Sequence, residues 1–171
     1  KEYFEDFLEE INQVLGEGDE FSRIKKIINK AFDSGKNLSQ ITRVFVRELF
    51  KEDGLLILDA DSPDLKTLFS EVAQKELFEE VTYKSSEKHL SRLNLEYKLQ
   101  VNPREINLFY IENGVRKRFI KTEKGFSTSD HSIFWTTSEM KELVADSPEK
   151  ISPNVLLRAV YQEILLPNIA Y

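Results

Sequence analysis

ISPNVLLRAVYQEILLPNIAY, residues Ile151–Tyr171, is the most informative stretch of this 171-residue sequence. Ser152 and Pro153 are typical of a helix start, because serine caps the first turn and proline has no N–H to leave unpaired there. Pro167 is expected to end the helix, and residues 168–171 are typical of the start of a strand. Apolar residues at helical spacing predict one buried face of this helix: Val155, Leu156, Val160, Ile164 and Leu165.

Asn154, Arg158 and Gln162 are polar side chains set into this otherwise apolar helix. Arg158 and Gln162 are four residues apart, so they share a helix face and can reach one ligand together. A guanidinium suits carboxylate and phosphate groups, with which it forms paired hydrogen bonds. These three residues are therefore candidates for binding a substrate or a nucleotide. The alternative is that Arg158 forms an ion pair with an acid of this chain, such as Asp59 or Glu163.

The composition excludes several classes of protein. Hydrophobic residues make up 40% of the chain and charged residues 32%, which is typical of a folded domain. No apolar run approaches the ~18 residues of a membrane-spanning helix. The absence of cysteine excludes disulfides, thiolate catalysis and zinc ribbons within this sequence. The net charge of −6 argues against non-specific nucleic-acid binding. We expect a cytoplasmic protein without a metal site, and the sequence leaves open whether the basic cluster Arg116-Lys117-Arg118 binds a ligand.

After three predicted amphipathic helices, the hydrophobic pattern of the sequence changes. Gly54 precedes Leu55–Leu58, an apolar run typical of a strand buried in a parallel sheet. Asp59 and Asp61 follow this predicted strand directly, and Ser62 is expected to cap the next helix. Ligands of α/β folds bind at such strand-to-helix junctions. The two carboxylates are candidates for holding a sugar hydroxyl, an amine or a metal, or they simply form the turn.

A β-rich unit is predicted between about residues 101 and 136. Asn113-Gly114 is a strong hairpin signal between Ile106–Tyr110, a segment with a period of two, and Val115–Ile120. Ile133–Trp135 is a candidate third strand, and Thr136 with Glu139 forms a capping box at the start of a helix. The sequence thus predicts an α/β fold of four segments: a helical lead-in (1–53), a core strand and long helix (54–100), an inserted β-hairpin-containing connecting unit (101–136), and helices that return to the core (137–171).

Three blocks of this sequence carry a family resemblance. They are GLLILDADSPDLK (Gly54–Lys66), NPREINLFYI (Asn102–Ile111) and SPNVLLRAVYQEILLPNIAY (Ser152–Tyr171). Together they resemble bacillithiol synthase, the cysteine-adding enzyme that completes the thiol bacillithiol. The order and spacing of the blocks match over the whole chain, and the last block is the most specific. Ala159 is one departure, since the family tends to have proline there.

The resemblance implies a Rossmann-like core, incomplete in this chain, and a parent enzyme with a coiled coil that forms a homodimer. It implies an amide-forming ligase that joins cysteine to glucosaminyl-malate. Because an amide forms from a carboxylate in water only after activation, a nucleotide (ATP or ADP) is the suspected cofactor. The chain is then expected to be a central fragment, inactive without the remainder of the parent chain. The alternative is a structural, dimerisation or interaction module, in which Asn154, Arg158 and Gln162 pair among themselves or with the lead-in.

Overall fold

A computed structural model describes residues 2–16, 18–93, 97–98 and 101–166 of the chain. The chain divides into two compact units, Lys1–Asp59 and Ala60–Tyr171, and each is described by itself. The division of the sequence into four segments stays a prediction. Among the described residues, no helix has the length and apolarity that crossing a membrane requires.

The first unit is helical, as the sequence predicts. It contains α1 (Glu2–Leu15), α2 (Asp19–Ser34) and α3 (Leu38–Leu49), followed by a short 3-10 helix at Lys51–Asp53. The apolar stripe of α2 is buried through Phe21, Ile28 and Ala31. An ion pair of 2.8 Å between Lys30 and Glu48 joins α2 to α3.

The prediction of a buried strand at Leu55–Leu58 is wrong. This segment has no regular secondary structure, and the side chains of Leu55 and Leu56 are 50% and 65% exposed. A strand needs a hydrogen-bonded neighbour for its backbone groups, and none of the described strands pairs with this segment. An apolar run alone therefore does not make a strand here.

The long helix predicted after Ser62 is divided into three. These are α4 (Pro63–Thr67), α5 (Ser70–Glu79) and α6 (Val81–Leu93). Ser62 occupies the N-cap position of α4 with Pro63 next to it, but its side chain makes no capping hydrogen bond. Glu80 adopts a left-handed conformation (φ 56°) and thereby separates α5 from α6.

Five strands among the described residues of the second unit form one antiparallel sheet. They are β1 (Leu108–Glu112), β2 (Val115–Thr122), β3 (Gly125–Thr128), β4 (Phe134–Trp135) and β5 (Ile151–Pro153), in the spatial order β4-β3-β2-β1-β5. Asn113 and Gly114 connect β1 to β2 with φ angles of 50° and 74°, as a tight hairpin requires. The predicted hairpin and the strand at β4 are confirmed, whereas β3 was not predicted.

One face of the sheet packs against helices. Buried side chains of the sheet meet those of α5 and of α7 (Thr137–Asp146), whose predicted capping box of Thr136 and Glu139 is confirmed. The core consists largely of Phe69, Ala73, Leu77, Leu108, Tyr110, Phe119, Phe126, Met140, Val144, Ile151, Leu157 and Tyr161. Since successive side chains of a strand point to opposite faces, the alternate residues of β1 and β2 lie away from this core.

The last described helix, α8 (Val155–Leu165), begins two residues later than predicted. Ser152 lies in β5 opposite Phe109, and Asn154 is the N-cap. The predicted buried face is also wrong, since Val155 and Val160 are 55% and 42% exposed, whereas Leu157 and Tyr161 are buried. Apolar residues lie on all sides of this helix, so their spacing alone does not determine which side packs. The strand predicted at residues 168–171 and the stop at Pro167 lie outside the described residues.

Candidate functional site

Asn154 holds the start of α8. Its Oδ1 accepts hydrogen bonds from the backbone N–H groups of Leu156 (2.9 Å) and Leu157 (3.2 Å). Its Nδ2 donates to Oδ1 of Asn107 (2.8 Å), and its backbone N–H donates to the Asn107 carbonyl oxygen (2.9 Å). These bonds engage both ends of the side-chain amide, so Asn154 positions the helix.

Asn107 in turn is held by a buried carboxylate. Oε1 of Glu76 accepts from the backbone N–H (2.9 Å) and from Nδ2 (2.8 Å) of Asn107, and Oε2 accepts from the N–H of Thr82 (3.0 Å). Asn107 also accepts from the Arg104 N–H and donates to the Arg104 carbonyl oxygen. We call Glu76, Asn107 and Asn154 the Glu76 network. It fixes α5, the segment before β1 and the start of α8 to one another.

A cavity lies beside this network on the open face of the sheet. Its volume is 420 Å³, and we call it the arginine cavity. Arg116 and Arg118 reach it from alternate positions of β2, Arg104 from the segment before β1, and Arg158 from the first turn of α8. The described lining contains no Asp or Glu and is completed by Val101, Asn102, Phe109, Asn154 and Val155.

Phe109 and the backbone of β5 hold the two arginines of β2. The Arg116 guanidinium carbon lies 4.3 Å from the centre of the Phe109 ring, and that of Arg118 lies 5.6 Å from it. Nη2 of Arg116 donates to the Pro153 carbonyl oxygen (2.7 Å) and to Oγ of Ser152 (3.2 Å). The quadrupole of an aromatic ring stabilises a cation that lies over its face, so the Phe109 ring favours the observed positions of both guanidinium groups.

The positive charges in this cavity oppose one another. Burial lowers the pKa of Arg116, the charge of Arg158 lowers it further, and the Asp61 carboxylate raises it. None of the ion pairs among the described residues involves Arg104, Arg116, Arg118 or Arg158. The cavity thus presents positive charge that the described carboxylates leave largely uncompensated.

The structure brings together only some of the predicted site residues. Asn154 and Arg158 line the arginine cavity, whereas Gln162 is exposed on α8 and does not line it. Asp61 lies 2.5 Å from Nζ of the buried Lys66. In the first unit, Asp59 accepts a hydrogen bond of 2.6 Å from the Ser39 hydroxyl. No group of side chains suited to a metal ion occurs among the described residues.

Sequence reasoning did not resolve the cluster Arg116-Lys117-Arg118. Strand alternation divides it, because Lys117 lies on the other face, 2.9 Å from the Asp130 carboxylate and 2.6 Å from Oγ of Ser132. The signal that could have found the cavity is the spacing of two between Arg116 and Arg118 on a predicted strand.

A neighbouring hollow of 490 Å³ is a weaker candidate for binding a charged ligand. It shares Arg104 and Arg118 with the arginine cavity, but it is also lined by Glu80, Glu105 and Lys121. Lys121 and Glu80 form an ion pair of 2.5 Å. Charge in this hollow is therefore partly neutralised by the chain itself.

The whole chain, residues 1–171, matches a family model described as bacillithiol biosynthesis BshC, N-terminal Rossmann-like domain. The chain belongs to the BshC family. The α/β class and the Rossmann-like assignment are thereby confirmed, with the antiparallel sheet of the second unit as a part of this BshC domain.

Curated BshC relatives cover nearly all of this chain. The protein of Flavobacterium johnsoniae, named "Putative cysteine ligase BshC", is 39% identical over 166 residues, which is 97% of this chain and 31% of the relative. Proteins of the same name from Flavobacterium psychrophilum and Christiangramia forsetii are 39% and 37% identical, over 92% of this chain and 29% of each relative. The chain spans about 30% of the length of these curated relatives.

Asn154→Ala is expected to destabilise the BshC domain by about 2 kcal/mol, because it removes the α8 cap and the hydrogen bond to Asn107. Equilibrium denaturation measures this loss. Ser62→Ala is the matched control, since Ser62 also occupies an N-cap position but makes no capping hydrogen bond. Equal losses in the two variants would show that the Asn154 contacts contribute nothing specific.

Proposed function

We propose that this BshC-family domain belongs to a ligase that joins cysteine to glucosaminyl-malate through an amide bond, and that Arg158 contacts an anionic group of a substrate or nucleotide. The family assignment and the name of the relatives support the ligase. The observation that carries the site is the position of Arg158 in the arginine cavity.

The reaction explains why a cationic site is useful. The cysteine carboxyl carbon gains a bond to the unprotonated amine nitrogen of the sugar and breaks its bond to one oxygen, which would leave on the phosphate or nucleoside monophosphate of the activating nucleotide, while the amine nitrogen loses one proton. A carboxylate resists this attack until it is activated, and a nucleotide would supply the activation. Guanidinium groups bind carboxylate and phosphate oxygens in pairs and stabilise negative charge that develops on them. Arg158 is suited to this task because it is exposed on the first turn of α8, beside the capped helix start.

The remainder of a longer protein completes the proposed site. We propose that the parent is a cytoplasmic homodimer and that Asp59, Asp61 and Gln162 contact a substrate or nucleotide outside the arginine cavity. The structural use of Asn154 supports the alternative that this region is a structural or dimerisation module. Under that alternative, the cavity arginines have no effect on turnover.

In the complete protein, Arg158→Ala is expected to lower kcat/KM by about tenfold to a hundredfold, the loss that follows from removing one or more charge-assisted hydrogen bonds. Arg158→Lys should lower kcat/KM several-fold, because lysine keeps the charge but cannot form the paired hydrogen bonds of a guanidinium. The assay measures thiol product from cysteine and glucosaminyl-malate, with and without ATP. Under the same conditions, the 171-residue chain alone is expected to give no product above background.

Arg92→Ala is the matched control for this assay. It removes an exposed arginine in the last turn of α6 that does not line the arginine cavity. Full activity of both Arg158 variants with normal stability would refute the site assignment and favour the structural module. Turnover by the 171-residue chain would show that the catalytic site is complete within it.

A further inference from the structure

We propose that the arginine cavity binds a compact polyanion, a ligand with two or more adjacent phosphate or carboxylate groups. Arg104, Arg116 and Arg118 form this site together with Arg158. The site is expected whatever reaction the parent catalyses, because its ligand class follows from the charge and shape of the cavity.

Charge is the first reason. The guanidinium group stays protonated at any physiological pH, so the four arginines bring four positive charges to a cavity of 420 Å³. Among the described residues, none of these four arginines forms an ion pair, and the described lining of the cavity contains no carboxylate. Of the nearby acids, Asp61 interacts with Arg116 but is itself held at 2.5 Å by Lys66. An anion in the cavity would relieve the repulsion between these arginines.

The second reason is that the donors are held in place before a ligand arrives. Arg116 is fixed at Nη2 by the Pro153 carbonyl oxygen and Ser152, and it lies over the Phe109 ring together with Arg118. A guanidinium has five N–H donors, so these contacts leave further donors for a ligand. Ordered side chains lose less conformational entropy on binding than free ones.

The backbone around the cavity is also fixed. Asn107 holds both the N–H and the carbonyl oxygen of Arg104, and it bonds Asn154 at the start of α8. Val155, the first residue of this 11-residue helix, lines the cavity. The positive end of the helix dipole therefore adds to the field of the arginines.

Four guanidinium groups match a ligand with several charges better than one with a single charge. A lone carboxylate would neutralise one arginine and leave the others opposed. A diphosphate group and a dicarboxylate both place two anionic groups within a few ångströms, and Arg binds each kind in pairs. The diphosphate of a nucleotide and the malyl group of glucosaminyl-malate are two sources of this chemistry.

Isothermal titration calorimetry on the complete protein tests the site with inorganic pyrophosphate, ADP and L-malate, and with uncharged adenosine as the negative control. At least one of the three anions is expected to bind saturably, with an affinity that falls as the salt concentration is raised. Adenosine alone is expected not to bind. Tighter binding of pyrophosphate and ADP would assign the site to a diphosphate, and tighter binding of L-malate would assign it to a dicarboxylate.

Arg116→Ala and Arg118→Ala are each expected to lower the affinity for the anion by about tenfold to a hundredfold. Arg118→Lys should fall between these variants and the unaltered protein, and Arg92→Ala should bind like the unaltered protein. Circular dichroism and a melting curve check that each variant is folded. No saturable binding of any of the three anions, or equal affinity in the folded Arg116 and Arg118 variants, would overturn the proposal. Anion binding without any effect of Arg158 on turnover would instead refute only the proposed role in the ligase.

Discussion

Glu76→Ala is expected to lower the free energy of unfolding by about 3–5 kcal/mol. The carboxylate is fully buried, and it accepts hydrogen bonds from two nitrogens of Asn107 and from the N–H of Thr82. The substitution leaves the backbone N–H groups of Asn107 and Thr82 without this acceptor, and Asn107 Nδ2 keeps only the Arg104 carbonyl oxygen. A buried donor left without an acceptor costs roughly 1–3 kcal/mol. Urea denaturation followed by circular dichroism gives the loss directly.

Glu71→Ala is the matched control for this prediction. Glu71 lies on the same helix, α5, but its side chain is 79% exposed and pairs with Lys75. Surface ion pairs of this kind contribute little to stability, so the control should leave the urea midpoint nearly unchanged. If Glu76→Ala were as mild as Glu71→Ala, the Glu76 network would not hold the second unit together.

Phe119→Ala is expected to cost about 3–5 kcal/mol, the usual loss for removing a buried aromatic ring. Phe119 is 1% exposed on the helix-covered face of β2, and its ring centre lies 6.0 Å from that of Tyr110 and 5.4 Å from that of Trp135. The cavity left behind cannot close without moving these neighbours. The melting temperature and the midpoint of urea denaturation both report the change.

Phe134→Ala provides the comparison for Phe119. Phe134 is 49% exposed in β4, so its removal should cost less than about 1 kcal/mol. A loss at Phe119 as small as that at Phe134 would mean that the packed face of the sheet is assigned to the wrong side.

Local signals in the sequence predicted the local structure well. The three helices of the first unit, the Asn113-Gly114 hairpin and the Thr136–Glu139 capping box each depend on residues within a few positions of one another. The interactions that stabilise these elements therefore lie within short stretches of sequence.

Elements that depend on a distant partner were not predictable in the same way. Ile151–Pro153 pairs with β1, which lies about 40 residues earlier, although Ser152 and Pro153 by themselves favour a helix start. Leu55–Leu58 shows the converse, because an apolar run without a described neighbour forms no strand. Strand pairing depends on two segments, so it cannot be predicted from the residues of one segment alone.

The candidate site was predicted only where it lies on one helix. Asn154 and Arg158 stood out as polar residues of α8, and both line the arginine cavity. Arg104, Arg116 and Arg118 join them from two other elements, so their proximity depends on the sheet register. The ligand role of all these residues stays a prediction that the titrations and the turnover assay decide.

Of the strands that the structure describes, the outermost on each side of the sheet are short, two residues in β4 and three in β5. A peptide that extends a sheet needs a row of unpaired backbone N–H and C=O groups on the outermost strand. Strands this short offer few such groups, and Pro153 has no N–H at all. Edge-to-edge strand addition, which underlies both peptide capture and aggregation, is therefore disfavoured for this sheet. A partner that approaches it meets side chains, and on the open face these are arginines, so selection among partners is governed by charge.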